Sequence, residues 1–262
     1  MERSEDIAAT ARFFNRAISA FGSDGPVNKT QVLDFGCGSG LLVERLLDLG
    51  YDAYGCDIDL GYPTPERCSL IGRSPYRLPF DNDRFDIVLS TTVLEHARNP
   101  NEYLAEIRRV LKPGGTAMHL FPGKWYLPRE PHILIPLANY FYPNCPTWWF
   151  ALWAMLGVCH PDHRREGWRK TVEECRDFYD NRVIYLSSRQ HERLAHTVFG
   201  NYEWPMEFYI VNGHGTFANV CRRLPMRRLW GLISREFRMA FLVQRKQPTD
   251  SGYSAGVHCR SC

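Results

Sequence analysis

The sequence lacks a strong net charge, a long apolar run and a dense set of cysteines, and each absence excludes a class of protein. Its 262 residues carry 32 basic and 29 acidic side chains, which gives a formal charge of +3. So small an excess does not predict nucleic-acid binding, and no nucleic acid is expected as a partner. Hydrophobic residues make up 44% and charged residues 23% of the chain. This balance excludes collagenous and wholly disordered proteins and predicts a folded core.

The nine cysteines are odd in number and scattered along the chain, which argues against a disulfide framework. The nearest pair, Cys259 and Cys262, forms a single CxxC at the end of the sequence. A single CxxC is weak support for metal or redox chemistry, so no metal site is predicted. The first ten residues include four charged side chains, and no signal peptide is expected there. A reducing, cytoplasmic location is therefore predicted.

The first half of the chain alternates between strand-like and helix-like segments. Short apolar runs rich in strand-forming residues occupy positions 31–36, 51–56, 85–90 and 116–121. Between them, residues 41–49 and the segment after Asn99 and Pro100 have apolar side chains at helical spacing. Such alternation is typical of parallel strands joined by right-handed crossovers. The predicted fold class is therefore α/β, with a doubly wound and mostly parallel sheet.

A glycine-rich loop follows the first predicted strand, in the segment Asp34-Phe-Gly36-Cys-Gly38-Ser-Gly40. Glycines allow a sharp turn and let a ligand approach the backbone at the carboxyl edge of the sheet. A dinucleotide site is one interpretation, but the spacing is GxGxG, and the Asp34 carboxylate would repel a pyrophosphate. The same carboxylate would attract a cationic amino-acid ligand. An ordinary tight turn is the remaining alternative.

Four blocks of sequence, in this order, resemble class I S-adenosylmethionine-dependent methyltransferases of the ubiquinone-biosynthesis-like (methyltransferase type 11) branch. The blocks are VLDFGCGSG at 32–40, LPFDNDRFDIV at 78–88, VLEH at 93–96 and EIRRVLKPGG at 106–115. The resemblance implies a seven-stranded sheet whose last two strands, near 201–210 and 239–244, form an antiparallel pair. It also implies one methyltransferase domain over residues 1–245, followed by a flexible tail at 246–262.

The resemblance further implies that S-adenosylmethionine is the cofactor and S-adenosylhomocysteine the product. Asp34 and the glycine loop should line the methionine part, and Asp57 should hold the ribose hydroxyls. The predicted cofactor-binding residues are Asp34, Gly36, Cys37, Gly38, Gly40, Asp57, Ile58, Ser74, Pro75, Tyr76, Ser90 and Thr91. Ser74 departs from the family pattern, in which an acidic residue is common at the adenine.

His96 is the predicted catalytic residue. Methyl transfer chiefly requires alignment of the acceptor, and a general base helps when the acceptor is a hydroxyl. His96 follows the strand that ends at Ser90, and histidine titrates near neutral pH. The alternative is that Glu95 and His96 only tie the strand end to the next helix. His119 lies inside a strand and is predicted to be a packed core histidine.

Residues 122–182 are longer than a strand-to-helix connection needs, so a helical cap inserted after the fifth strand is predicted. Nine aromatic residues lie between 125 and 153, and the uninterrupted apolar piece at 148–159 has 12 residues. A membrane-spanning helix needs roughly 20. The insertion is expected to pack on the sheet, with a membrane-surface position as the alternative. The predicted substrate residues are Trp125, Tyr126, Glu130 and His132.

After the insertion, Ser187 and Gln190 form a capping-box pattern that predicts a helix start. A basic run at 222–228 and a helix-like stretch at 229–237 are most simply solvated, and peripheral contact with anionic lipid is the alternative.

The predicted function is methyl transfer, with oxygen as the acceptor atom, to a small, hydrophobic or lipid- or saccharide-linked acceptor. A non-catalytic protein that binds cofactor, a partner or a membrane surface is the alternative. A nicotinamide-dependent oxidoreductase, which would share the fold, is opposed by Asp34 and the glycine spacing.

Overall fold

The computed structural model describes residues 4–22, 25–61, 66–72 and 75–248. Within these ranges a six-stranded sheet forms the centre of the fold. Its strands are β1 Gln31–Phe35, β2 Asp52–Asp57, β3 Cys68–Leu70, β4 Phe85–Thr91, β5 Leu111–Pro122 and β6 Met239–Arg245. Their order across the sheet is β3-β2-β1-β4-β5-β6. Strands β1 to β5 run parallel, and β6 pairs with β5 in the antiparallel direction.

Helices cover both faces of the sheet. They are α1 Ser4–Phe21, α2 Leu41–Asp48, α3 Pro100–Val110, α4 Thr147–Met155, α5 Trp168–Asn181, α6 Ser188–Phe199, α7 Met206–Asn212, α8 Thr216–Cys221 and α9 Arg227–Phe237. Pro100 occupies the first turn of α3, where its missing N–H costs nothing. Ser187 and Gln190 cap α6 reciprocally, as the sequence predicts. The doubly wound α/β prediction is confirmed.

The sheet differs from the expectation at its end, because the described residues form six strands and not seven. Residues 201–210 were expected to be a strand, and that prediction is wrong. Glu203 makes only an isolated bridge to Val243, and α7 begins at Met206. The segment buries Met206, Tyr209 and Ile210, which are three and four positions apart. That spacing places their side chains on one face of a helix, whereas a strand would alternate them between two faces.

Two hydrophobic clusters pack against opposite faces of the sheet. On one face, the rings of Phe13 and Phe241 lie 5.0 Å apart and anchor α1 to β6. On the other face, Phe35 of β1 stacks on Tyr103 of α3 with ring centroids 6.0 Å apart. The central strands are buried on both faces, so their sequences are almost continuously apolar.

The segment at 122–182 has a hydrophobic cluster of its own, in which Phe150 of α4 and Tyr179 of α5 pack with ring centroids 5.4 Å apart. The opposite face of α4 is exposed, and Trp148 has 62% of its surface accessible. The aromatic run is therefore divided between an internal core and the surface. Among the described residues, no helix combines the length and apolar character needed to cross a bilayer.

Lys246, the first residue of the predicted tail, is anchored to the fold. Its Nζ atom donates to Asp83 Oδ1 at 2.6 Å and to the carbonyl of Leu111 at 2.9 Å. Its backbone pairs with Gly114 and Gly115. Order therefore continues past β6, and the predicted tail from 249 onward lies outside the described residues.

Candidate active site

The glycine loop forms the floor of a cleft at the carboxyl ends of β1, β2 and β4. Gly36, Gly38 and Gly40 have φ angles of +83°, +50° and +76°. These left-handed conformations suit glycine because it has no Cβ atom. A Cβ on Gly36 would also lie 2.2 Å from Cγ2 of Val93. Glycine at position 36 is therefore required by backbone conformation and by space.

Asp57 holds this loop in place. Its Oδ2 atom accepts a hydrogen bond from the N–H of Gly38 at 2.7 Å, and Oδ1 accepts one from the N–H of Asp59 at 3.1 Å. The N–H groups of Gly36 and Cys37 donate to the carbonyl of Cys56 at 2.7 and 3.1 Å. The end of β2 thus fixes the conformation of the loop that follows β1.

Two cavities flank the glycine loop. The main cavity has a volume of about 340 Å³, and its walls include Gly36, Asp57, Ile58, Tyr76 and His96. The smaller loop cavity, of about 60 Å³, also touches Gly36 and is lined by Asp34, Cys37, Thr10 and Thr91, among others. Asp34 is buried at the end of β1. A ligand passing from one cavity to the other would run across the glycine loop.

A third cavity, the aromatic cavity, has a volume of about 300 Å³. Its walls include Tyr126, Tyr209, His214, Phe217 and Arg238. It shares Thr91 with the loop cavity and Thr92 with the main cavity. All three cavities therefore meet at the Thr91–Thr92 turn, where β4 ends.

Arg238, His214 and the carboxylate of Asp6 are among the polar groups that line the aromatic cavity. The Arg238 guanidinium carbon lies 4.8 Å from the ring centroid of Tyr126 and 5.7 Å from that of Phe217. The side chain also donates to the carbonyl of Leu127, so the cation is held against aromatic rings. His214 Nε2 lies 3.3 Å from Thr10 Oγ1, and burial lowers the pKa of His214. Burial therefore favours the neutral form of this imidazole.

The loop after β4 meets the insertion in a histidine cluster, formed by Glu95, His96, Glu130 and His132. The Nε2 atoms of His96 and His132 are 3.1 Å apart. Nδ1 of His96 lies 2.8 Å from the carbonyl of Arg182, and Nδ1 of His132 lies 3.0 Å from Glu130 Oε1. Neither the single residues nor their spacing in the sequence predicts that these side chains touch.

Burial and charge act differently on the members of the histidine cluster. Burial raises the pKa of Glu95 to about 7. Burial lowers the pKa of His96, and the nearby His132 lowers it further. For His132 burial also acts to lower the pKa, but its hydrogen bond to Glu130 and the charge of that carboxylate outweigh burial and raise it. Hydrogen bonds from His132, the Ile133 N–H and Tyr185 outweigh burial at Glu130 and lower its pKa.

The predicted cofactor residues divide into those that line a cavity and those that do not. The structure places Asp34, Gly36, Cys37, Asp57, Ile58, Tyr76 and Thr91 on cavity walls. Gly38 and Gly40 shape the loop, and Pro75 is an exposed neighbour of Tyr76. The Ser90 hydroxyl is buried and lies 2.7 Å from His119 Nδ1 on the neighbouring strand β5, so its side chain is directed away from the cavities. Ser74 lies outside the described residues.

The predicted substrate residues also separate. Tyr126 lines the aromatic cavity. Trp125 packs beside Tyr140, with ring centroids 6.2 Å apart, while Glu130 and His132 belong to the histidine cluster. Sequence reasoning missed His214 and Arg238, which lie far along the chain from the glycine loop. The glycines on both sides of His214 are the only local signal in the sequence.

Residues 33–119 match the family model described as a methyltransferase domain. The ubiquinone biosynthesis O-methyltransferase of Roseobacter denitrificans is 36% identical over 104 residues, which cover 36% of this chain and 41% of that protein. Its counterpart in Cereibacter sphaeroides is 36% identical over 121 residues, covering 43% of this chain and 47% of that protein. The matched segments thus span less than half of these relatives.

Two solved structures resemble the whole chain more distantly. An S-adenosylmethionine-dependent methyltransferase from Mesorhizobium loti aligns with a TM-score of 0.51 at 15% identity, covering 91% of this chain and 100% of that chain. A chain from the complex of the Haloferax volcanii Trm112 methyltransferase activator with a putative methyltransferase aligns with a TM-score of 0.50 at 18% identity, covering 94% of both chains. At these identities the likeness shows the fold alone.

The steric requirement at Gly36 predicts the effect of a single methyl group. In Gly36→Ala, the new Cβ would collide with Val93 and displace the loop between the main and loop cavities. We expect the affinity for S-adenosylhomocysteine, measured by calorimetric titration, to fall at least about tenfold, or about 1.4 kcal/mol. Gly200→Ala is the matched control, because φ is also positive (+76°) but no atom lies within 4 Å. Unchanged affinity in Gly36→Ala would contradict the placement.

Proposed function

We propose that this chain, whose residues 33–119 match the methyltransferase domain family, transfers a methyl group from S-adenosylmethionine to an oxygen of a small, largely apolar acceptor. The observation that carries the proposal is the meeting of three cavities at the Thr91–Thr92 turn. A cofactor that occupies the main and loop cavities would place its reactive centre at this turn. The aromatic cavity also borders this turn and would hold the acceptor.

The two cofactor cavities differ in the chemistry that they offer. Asp34 gives the loop cavity a carboxylate, which would attract the ammonium group of the methionine part. Asp57 lines the main cavity and would accept hydrogen bonds from the ribose hydroxyls. Ile58 and Tyr76 add apolar and aromatic surface for the adenine. The match of residues 33–119 to a methyltransferase domain supports S-adenosylmethionine as the methyl donor.

The aromatic cavity supports a class of acceptor. Tyr126, Tyr209 and Phe217 offer flat apolar walls, and Arg238 would pair with a carboxylate or phosphate group on the acceptor. Trp125, Glu130 and His132 lie elsewhere and stay predicted substrate residues. The match of residues 33–119 to a methyltransferase domain gives the non-catalytic alternative no support.

The methyl group on the sulfonium is already activated, so the protein must align the acceptor and exclude water. The acceptor oxygen would attack the methyl carbon while the carbon–sulfur bond breaks. The electron pair of that bond would remain on sulfur, which gives S-adenosylhomocysteine. In our proposal His214 takes the hydroxyl proton, because its neutral imidazole lines the aromatic cavity. His96, the predicted catalytic residue, lines the main cavity with Nε2 facing His132, and its role stays a prediction.

Removal of the Asp57 carboxylate should weaken cofactor binding. In Asp57→Ala the ribose contacts and the hydrogen bond that holds Gly38 are both lost. We expect S-adenosylhomocysteine affinity to fall at least about tenfold in a calorimetric titration, about 1.4 kcal/mol. Asp48→Ala, on the exposed end of α2, should bind as the wild type does. If the wild type itself fails to bind, the assignment of the main cavity is overturned.

The proton-acceptor assignment predicts a specific kinetic defect. Methyl transfer from radiolabelled S-adenosylmethionine would be measured against a panel of apolar acceptors that carry a hydroxyl and an acidic group. For an acceptor that is turned over, His214→Ala should lower kcat about 100-fold, the usual size of general-base catalysis, with little change in KM for the cofactor. The exposed His196→Ala is the control. Wild-type turnover by His214→Ala would exclude His214 as the base.

We also propose that helix α9 contacts an anionic lipid surface. Leu229 and Leu232 are three positions apart on α9, so they lie along one face, and they are 42% and 52% exposed. Met226, the residue just before the helix, is 67% exposed. Exposed Arg223 and Arg227 lie beside this stripe in the chain. An apolar stripe next to basic side chains is the pattern of helices that lie in a membrane interface.

Vesicle flotation tests this contact. The wild type should float with vesicles that contain an anionic phospholipid and much less with purely zwitterionic vesicles. The double variant Leu229→Ser/Leu232→Ser should lower the partition coefficient at least about tenfold, because two half-exposed leucines no longer insert. Leu70→Ser, which changes an exposed leucine on β3, should behave as the wild type. Equal flotation of all three proteins would rule out α9 as the contact.

A further inference from the structure

The histidine cluster contains two ring nitrogens that face each other, and when both rings are neutral no proton lies between them. The carbonyl of Arg182 can only accept, so Nδ1 of His96 must carry the hydrogen of that contact. At His132, Nδ1 faces the Glu130 carboxylate, which also only accepts when ionised. With both Nδ1 atoms protonated, the neutral rings direct the lone pairs of their Nε2 atoms at each other across 3.1 Å.

A buried carboxylate stands beside these two nitrogens. Glu95 is 3% exposed, and within the described part of the chain neither of its oxygens has a hydrogen-bond partner. Its Oε1 atom lies 3.7 Å from Nε2 of His132. A buried carboxylate without hydrogen bonds is costly, and so is a pair of opposed lone pairs. A cation between the three side chains would relieve both costs.

We propose that Glu95, His96 and His132 bind a divalent transition-metal ion, with zinc as the best match. One ligand atom from each residue can be chosen so that all three lie within 4.8 Å of one another. Two imidazole nitrogens and one carboxylate oxygen are a ligand set found in zinc enzymes. The site differs from the sequence-based expectation of no metal, because that expectation considered cysteine spacing and could not bring His132 to His96.

The surroundings of the cluster support this assignment. Metal-binding histidines usually donate their second ring N–H to a carboxylate or a backbone carbonyl, which fixes the ring. His132 donates to Glu130, and His96 donates to the carbonyl of Arg182, so both rings already have that support. Glu130 is itself held by Tyr185 and by the backbone N–H of His132. The ligands are therefore oriented by groups that would not bind the ion.

The position of the site indicates what the ion would do. Glu95 and His96 follow β4, whereas His132 belongs to the insertion, so the ion would join the insertion to the carboxyl edge of the sheet. Three protein ligands leave a coordination position for water or a hydroxyl oxygen. His96 also lines the main cavity, so this position lies next to the proposed cofactor site. The metal proposal itself does not depend on methyl transfer.

Metal binding can be measured without S-adenosylmethionine or an acceptor. Metal-free protein would be titrated with Co²⁺ by visible absorption and with Zn²⁺ by calorimetry. We expect one equivalent to bind and no thiolate-to-cobalt charge-transfer band, because the ligands are nitrogen and oxygen. The titrations would be repeated in Cys259→Ser/Cys262→Ser, since the CxxC near the end of the chain is a competing zinc ligand. Affinity should be unchanged in that variant.

Variants of the ligands decide the assignment. His132→Ala and Glu95→Gln should each weaken Zn²⁺ binding at least about tenfold. Zinc should raise the Tm of the wild type but not the Tm of either variant. His160→Ala, a histidine of the same insertion outside the cluster, should bind zinc normally. Having both variants guards against a folding defect in one.

Three results would overturn the proposal: no binding by the wild type, binding that His132→Ala and Glu95→Gln leave intact, or binding that disappears with the two cysteines. In each case an extra proton, and not a metal, would bridge His96 and His132. A failure of methyl transfer would leave all of these measurements unaffected.

Discussion

The contact between the end of β2 and the glycine loop is the constraint on which the rest of the site depends. Cys56 and Asp57 together accept the N–H groups of Gly36, Cys37 and Gly38. These hydrogen bonds hold the left-handed turns of the loop open over the carboxyl edge of the sheet. The main and loop cavities share Gly36 as a wall, so the same bonds hold the wall between them. A single carboxylate thus shapes the loop and offers lone pairs to a ligand.

The elements that sequence reasoning predicted well are those that local patterns determine. The runs around β1, β2, β4 and β5 are apolar because central strands are buried on both faces, and the glycine loop has its own conformational signature. The strand prediction for residues 201–210 was wrong because it did not weigh the helical spacing of Met206, Tyr209 and Ile210, which packing against β6 stabilises. The prediction of seven strands was wrong for the same reason, because the described residues form six.

The parts of the site that could not be predicted come from distant segments of the chain. Arg238 lies at the end of α9 and His214 between α7 and α8, yet both reach a cavity that opens at β4. His132 meets His96 only because the insertion folds back on the loop after β4, where Ile184 N–H donates to the carbonyl of Glu95 at 2.6 Å. No periodicity in the sequence carries such information. Sequence reasoning therefore placed Glu130 and His132 near a strand end but did not predict the contact of His132 with His96.

The backbone has an unusual left-handed conformation at the Thr91–Thr92 turn, where the three cavities meet. Thr92 has φ of +52°, which is rare for a β-branched residue and costs of the order of 1–3 kcal/mol. Its N–H donates to the carbonyl of Leu120 at 2.8 Å, and its hydroxyl donates to the carbonyl of Thr91 at 2.8 Å. The strand pairing of β4 with β5 thus offsets the strain. Without this turn, β4 would continue in an extended direction, and the main, loop and aromatic cavities would not share a wall.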